Sequence, residues 1–303
     1  MRFSVSAPAS SANLGPGFDA LGLALDLWNE VEIDTEGEPG QVTLIGSEAP
    51  LLRGSTSNYT LDAMRDLAQV AGRKLPPFSM TVRAEIPVAR GLGSSAAALV
   101  AGLFAADKIL GLNLSIADIY GHAWSMEGHG DNVGAAVYGG AILAVTGVPE
   151  ALILGDGASL GLVAVVFIPE SSSATWAARA ALPANVPLPD AAFNVGTAAG
   201  LSVGLLTRNR VAIAAGMHDR LHEPYRSRLF PHLTPMTEAA RSAGAIGACL
   251  SGAGPTILAL ADPAQSAAVE RAYAAVAAEH AVQGRIVTLS PTNRGAYLVS
   301  VAE

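Results

Sequence analysis

The sequence predicts an α/β (α+β) chain of two domains. Three observations carry this reading. Apolar and polar residues alternate as in a strand through the first third of the chain. A glycine-rich loop joins a half-buried strand to a long helix. The second half runs strand, helices, strand, strand, helix, strand, the order of a ferredoxin-like split βαβ unit. A length of 303 residues favours two domains over one.

Leu21, Leu23, Leu25, Leu27, Val31 and Ile33 take odd positions, with Asp26, Glu30, Glu32 and Asp34 at even ones, so this run reads as a strand with one buried face. Asn58–Ala71 is expected as an amphipathic helix ended near Gly72. Phe78, Met80, Val82, Ala84 and Ile86 alternate with polar residues in a second half-buried strand that Pro87 stops. Ser95–Leu110 follows as a helix closed by Gly111, and Gly139–Val145 as a strand. The sequence then loosens through GVPEALILGDGAS, where a domain boundary is expected. Beyond it come a buried strand within LGLVAVVFIP, helices over Ser173–Ala181, Ala191–Leu206 and Val211–Met217, short strands over Ala245–Leu250 and Thr256–Ala261, a helix over Pro263–His280 and a strand over Gly284–Leu289. Tyr297, Val299 and Val301 suggest a last strand of unassigned sheet.

Half the residues are hydrophobic and 15% are charged, enough for a sizeable core. A net charge of −8 argues against a general nucleic-acid binder, which needs a basic face. The single Cys249 excludes an internal disulfide framework and a cysteine-rich metal site. No secretory signal and no uninterrupted apolar run of membrane-spanning length is read, so a soluble cytoplasmic protein is expected.

The loop RGLGSSAAA (Arg90–Ala98) stands at a helix N-terminus, where unsatisfied N–H groups and the helix dipole favour an anion. Gly91 and Gly93 let backbone approach closely, and Ser94 and Ser95 add hydroxyls. No lysine follows, unlike the familiar phosphate loop. Lys108 lies more than three turns along the helix, roughly 20 Å away at the helical rise. A triphosphate here needs another source of positive charge, and Mg²⁺ held by a loop hydroxyl and a distant carboxylate is the economical one. A tight strand–helix turn with a serine cap remains the alternative. The dinucleotide fingerprint G-x-G-x-x-A also matches, but the strand before it alternates and no acidic residue closes a strand about 20 positions on.

Four further clusters stand out. SSANLGPGFDALG (Ser10–Gly22) sets Asn13 and Asp19 around a Gly-Pro-Gly turn, which local turn chemistry also explains. MEGHGDNV gathers Glu127, His129, Asp131 and Asn132 beside an apolar segment; it reads as a site or as a solvated helix end, without the spacing of a zinc motif. LSGAGP (Leu250–Pro255) is a ligand-approach loop or a tight hairpin. HEPYRSRLFP (His222–Pro231), taken alone, reads as a solvated face.

Together, in order, PASSANLGPGFDALGLAL, IPVARGLGSSAA and CLSGAGPT resemble the three signature motifs of the GHMP kinases. NLGPGFDALG, EGHGDNV and EPYRSRLFP are similar to the homoserine kinase versions. The resemblance spans Ser6 to about Leu260. It implies an ATP-binding domain of the ribosomal-protein S5 domain 2 type over 1–154 and a ferredoxin-like domain over 155–303. It implies ATP along Pro87, Val88, Ala89, Arg90, Gly91, Leu92, Gly93, Ser94, Ser95, Ala96 and Ala97, with Ser251, Gly252 and Gly254, and Mg²⁺ on Ser95 and Glu127. L-homoserine would be held by Arg179 and Arg226 at its carboxylate and by Asp19, with Asn13, at its ammonium. His129, Asp131 and Asn132 would lie near the reacting end, the latter two orienting substrate without acting as obligatory proton acceptors. The segment between Glu127 and Asp131 is shorter than in some homoserine kinases, and no proline follows Asp-Asn-Val. The resemblance further implies phosphorylation of homoserine on the threonine pathway and a homodimer. The readings set against it are a kinase of mevalonate-type alcohols, which would leave Asp19 without an ammonium, and a non-catalytic sensor, which would have lost Ser94, Ser95 or Glu127.

Overall fold

A computed structural model describes residues 1–54 and 58–300. The first half comprises β1 (Arg2–Asn13), β2 (Gly17–Asp34), β3 (Val42–Ile45), α1 (Ala49–Leu52), α2 (Tyr59–Val70), β4 (Ser79–Arg83), α3 (Ser94–Leu110), α4 (Ile116–Glu127), α5 (Asp131–Tyr138), β5 (Ala141–Leu143) and β6 (Leu152–Gly155). The second comprises β7 (Val163–Pro169), α6 (Thr175–Ala180), α7 (Leu188–Thr207), α8 (Arg210–Gly216), α9 (Glu223–Arg226), α10 (Leu233–Ser242), β8 (Gly247–Leu250), β9 (Ile257–Ala261), α11 (Ser266–Glu279), β10 (Gly284–Leu289) and β11 (Tyr297–Ser300).

Among the described residues the first sheet has seven strands, ordered β11-β1-β2-β4-β3, with β5 joined to β2 and β6 to β5. The second is antiparallel throughout, ordered β10-β7-β9-β8. Numbered within the second half, that is 4-1-3-2, the ferredoxin-like arrangement its element order predicts. The segment read as a loosened boundary contains a strand, β6. The last strand, unassigned from sequence, pairs with β1 in the first sheet, so the chain end returns to its beginning. Val301 lies outside the described residues.

Local signals explain most boundaries. Asn58 caps α2, its side chain accepting the Leu61 N–H at 3.1 Å. Ser115 and Asp118 form a reciprocal capping box on α4. Gly111 ends α3 in the left-handed conformation at φ 62°. The alternation of β2 holds only over its second half: Leu21 to Leu25 are buried on both faces, and the pairing with β1 shifts register twice. A register shift opposite Pro8 and Ala9 leaves Leu27 half-exposed where the pattern predicts burial. Asn29 takes a buried position instead, and its Oδ1 accepts the N–H groups of Glu85 (2.8 Å) and Ile86 (2.9 Å). That fixes the chain as it enters the glycine loop.

The larger core lies between the first sheet and helices α2, α3 and α5 and continues through α7, α8 and one face of the second sheet, and the smaller packs α10 and α11 on the other face of that sheet. From Ala96 to Ala106, α3 is buried almost without interruption, packed on β1 and β2 and flanked by α2, α4 and α5, which holds its N-terminus firmly.

Candidate active site

A cleft of about 800 Å³ is lined by the glycine loop, the first turn of α3, the α4–α5 junction, the turn after β1, the loop after β8 and α6. The three motifs, far apart in sequence, meet there.

The loop's shape is set by its neighbours. Gly93 caps α3 at φ 71° with no side chain to bond the first N–H groups, which leaves them at the cleft beside Ser94 and Ser95. A Cβ on Gly93 would collide with Ser10 Oγ, and one on Gly91, at φ 79°, with the Ser251 carbonyl. Ser251 Oγ donates to Gly91 O (2.6 Å) and lies 2.8 Å from Ser11 Oγ, which ties the third motif to the loop and to β1. Pro87, Val88, Ala89, Arg90, Gly91, Gly93, Ser94, Ser95, Gly252 and Gly254 line the cleft, whereas Leu92, Ala96, Ala97 and Ser251 are buried behind it. The Arg90 guanidinium is occupied elsewhere. It donates to Pro169 O (2.9 Å), Glu170 O (2.8 Å) and Val88 O (3.1 Å), and it pairs with Glu48 at 3.3 Å. It joins the loop to β7 of the second sheet. Lys108 sits in the last turn of α3 and does not line the cleft.

The α4–α5 junction brings in the acidic group. Ser95 Oγ and Glu127 Oε1 are 3.0 Å apart, from two different helices. Asp131, only 1% exposed, starts α5; its Oδ1 accepts from His129 Nδ1 and from the Asn132 N–H, both at 2.7 Å. A carboxylate only accepts, so the His129 proton is on Nδ1 and Nε2 turns towards Glu127, 4.0 Å away. Burial acts against the imidazolium, but the Asp131 bond and the Glu127 and Asp19 carboxylates outweigh it and hold the His129 pKa above its ordinary value. Asn132 Oδ1 accepts from Ser10 Oγ at 2.8 Å, which leaves its amide N–H groups for the cleft.

At the other end Asp19 and Arg179 form a bidentate pair (2.7 and 3.1 Å). Asp19 takes a left-handed backbone at φ 58°, and its N–H donates to Asn13 Oδ1 at 3.0 Å. Asn13 in turn donates to Gly252 O at 2.9 Å, so its amide joins the first motif to the third. Arg226 is 2% exposed, bonded to Gly252 O (3.0 Å) and Ala178 O (3.3 Å), with its pKa pulled down to about 10 by burial and by Arg179. It stays cationic at neutral pH. Phe18 lies 5.6 Å from both guanidiniums. Asp19, His129 and Asp131 each offer an atom within 4.8 Å of the others, an anionic pocket suited to an ammonium.

The sequence reading missed one wall of the cleft. Leu44, Leu52, Tyr59, Leu61 and Val82 make an apolar face beside the loop. Its residues come from β3, α1, α2 and β4, and no local pattern marks them as a site. It also missed the support for Arg226: Asp219 accepts the N–H groups of His222 (2.8 Å) and Glu223 (2.7 Å) at the start of α9, and His222, fully buried, bridges Gly15 O (2.7 Å) and Arg226 (3.3 Å).

Comparison with known proteins gives the family. The GHMP kinases N terminal domain family matches residues 58–140 and the GHMP kinases C terminal family residues 201–279. A homoserine kinase of Moorella thermoacetica is 38% identical over 97% of this chain and 99% of its own. One of Nostoc punctiforme is 40% identical over 96% of both. The crystal structure of a homoserine kinase from Cytophaga hutchinsonii superposes with a TM-score of 0.87 at 28% identity, covering 98% of this chain and 97% of that one. On the motifs, the fold and this identity along nearly its whole length, the chain belongs to the homoserine kinases of the GHMP kinase family.

Proposed function

We propose that the cleft transfers the γ-phosphoryl group of ATP to the side-chain hydroxyl of L-homoserine, giving O-phospho-L-homoserine and ADP for threonine biosynthesis. The observation that carries the reading is the presence of both signs of charge beside the phosphate loop: Arg226 and Arg179 for a carboxylate, Asp19 for an ammonium. An acceptor without an amino group has no use for the second.

The phosphates lie on the N–H groups of Gly93–Ser95 and the helix dipole, with the base against the apolar wall. Ser95 and Glu127 offer two hard oxygen donors side by side, a fit for Mg²⁺, which when bound neutralises charge on the β- and γ-oxygens. Arg226, whose Nε and Nη1 are held by Ala178 O, Gly252 O and His222, offers its remaining Nη2 to the substrate carboxylate, with Arg179 as the second cation, and Asp19 with His129 orients the ammonium end. The homoserine hydroxyl oxygen bonds to the γ-phosphorus as the bond to the bridging oxygen of the β-phosphate breaks; ADP leaves with that oxygen, and the hydroxyl proton passes to an oxygen of the transferred phosphoryl group and from there to solvent. Asn132 directs its N–H groups at the transferred phosphoryl, and Asp131 holds His129 and the α5 N-terminus. Such chemistry relies on positioning and charge stabilisation more than on a strong base.

The same proposal takes the enzyme as cytoplasmic, independent of nucleic acid and homodimeric, with domains dividing near 154/155 and β11 belonging to the first. No helix among the described residues is long and apolar enough to cross a membrane. ADP release with ATP and Mg²⁺ is measured with L-homoserine, mevalonate or no acceptor. Turnover with L-homoserine alone is expected; turnover with mevalonate, or silence with homoserine, overturns the substrate assignment.

A further inference from the structure

Of the two guanidiniums assigned to the substrate carboxylate, Arg179 is already paired with a carboxylate, that of Asp19. Arg226 is 2% exposed, and among the described residues its bonds go to neutral acceptors: Nε to Ala178 O (3.3 Å), Nη1 to Gly252 O (3.0 Å) and Nη1 to His222 Nδ1 (3.3 Å). His222 is fully buried and caps α9 one helical turn before Arg226. Its other nitrogen, Nε2, lies 2.7 Å from Gly15 O, in the turn between β1 and β2 that leads to Asp19. A carbonyl oxygen only accepts and a guanidinium only donates. The two contacts therefore fix one tautomer, with the proton on Nε2 and the lone pair of Nδ1 facing Arg226. The ring is neutral: burial, outweighing the Asp219 carboxylate, sets its pKa below the ordinary value. Asp219 itself is spent on other donors. Its Oδ1 accepts from the Asn194 amide (2.7 Å) and the Leu221 N–H (3.1 Å), and its Oδ2 from the N–H groups of His222 (2.8 Å) and Glu223 (2.7 Å).

We infer that His222 is a positioning residue for the acceptor substrate: its Nδ1 aims the Arg226 guanidinium at the substrate carboxylate without cancelling its charge, and its Nε2–H ties that cation to the turn carrying the ammonium site. The inference rests on the homoserine reading of the cleft. Imidazole in this tautomer meets a demand that other side chains do not. An Asp or Glu in its place would hold the guanidinium but offset the charge the substrate needs. An aliphatic side chain would leave a buried guanidinium N–H unbonded. The ring also joins two groups 207 positions apart in the chain. Their spacing has to match an α-amino acid, which carries its carboxylate and its ammonium on one carbon.

Steady-state kinetics of the full chain with ATP and Mg²⁺ tests this in His222→Asn, His222→Gln and His222→Leu, each checked for folding by circular dichroism. Asn places its Oδ1 where Nδ1 stands and keeps the acceptor for Arg226. Gln reaches Gly15 O but loses that acceptor, and Leu loses both bonds. In the Gln and Leu variants the KM for L-homoserine is expected to rise roughly 10- to 100-fold while the KM for ATP stays within about 2-fold. The Asn variant is expected to keep most of the wild-type KM. The amide of homoserine brings no carboxylate, so it should lose far less, and the wild-type preference for the acid should shrink in the Gln and Leu variants. A wild-type KM for homoserine in folded His222→Leu overturns the proposal. Equal losses for acid and amide also overturn it, because they mark a purely structural role, as does an Asn variant no better than Leu. Where the variants do not fold, NMR of the ring nitrogens in the wild type decides: Nδ1 is expected without a proton, and a proton there overturns the proposal. Wild type silent with homoserine fails the functional reading and this inference together. Wild type active on homoserine, with any of the overturning results above, fails the inference alone.

Discussion

Arg179 and Asp19, assigned to opposite ends of one zwitterionic substrate, are bonded to each other across the cleft at 2.7 and 3.1 Å. In the absence of substrate the two charges satisfy one another. A ligand with a carboxylate and an ammonium replaces one ion pair by two. The site therefore pays little desolvation cost on binding, and it disfavours ligands that bring only one sign of charge.

Both partners are partly exposed, at 41% and 35%, and such pairs contribute about 0–1 kcal/mol to stability. Arg179→Ala is accordingly expected to leave the melting temperature nearly unchanged. The KM for homoserine should rise roughly 10- to 100-fold, the loss of one charge-assisted contact. Steady-state kinetics with calorimetry checks this; an unchanged KM would remove Arg179 from the substrate site.

Arg90 should behave in the opposite way. Its guanidinium joins the glycine loop to the second sheet and pairs with Glu48, whose side chain is 10% exposed. Arg90→Ala leaves that carboxylate with the Val88 N–H and a looser contact to Arg285 at 3.6 Å. A loss of about 2–4 kcal/mol in urea unfolding is expected, since breaking a buried pair leaves a charge uncompensated. A stability equal to wild type with strongly weakened ATP binding would instead place Arg90 on the phosphates.

Glu127→Gln keeps the hydrogen bond from Ser95 but weakens a metal ligand. Turnover is expected to fall roughly 100-fold and to recover in part at higher Mg²⁺, as for the loss of a charge-stabilising group. An unaltered Mg²⁺ requirement counts against the Ser95–Glu127 pair as the metal site.

Asp131→Asn retains an oxygen for the His129 Nδ1–H. A modest fall in kcat, within about 10-fold, is expected of an orienting residue, whereas loss of a general base costs about 10²–10⁴-fold. Abolished turnover with intact homoserine and ATP affinity would falsify the orienting role.

Glu223 gives a pH signature. The residue keeps partial exposure, but its carboxyl is enclosed and accepts the Leu250 N–H at 2.6 Å; burial lifts its pKa to about 7. The folded state therefore holds a proton between about pH 4.5 and 7 that the unfolded chain has released. Its contribution is full below the lower value and is lost as pH rises through the upper one. Glu223→Gln, which mimics the protonated form, should gain stability relative to wild type as pH rises from about 5 to 8, by at most about 3 kcal/mol. Thermal melts across that range check the sign; a constant difference would mean the carboxyl does not titrate there.

The sequence by itself determined the parts that local chemistry writes. The strand character of Leu21–Ile33, the helix from Asn58 and the strand–glycine–helix order around Arg90–Ala98 depend on near neighbours, and each was legible. So was the order β7, β8, β9, α11, β10, from which the 4-1-3-2 sheet follows. Contacts between distant residues were not. Only the fold decides that Arg90 faces the second sheet, that Asn13 reaches Gly252, or that the sides of β3 and α2 form one apolar wall. β6 escaped for the same reason. It is four residues long and too short to show a period, and its strand character comes from the hydrogen bonds β5 offers. Residue type and spacing prescribe a backbone conformation; which side chains meet across 160 positions depends on how two sheets pack, and that is set by the core as a whole.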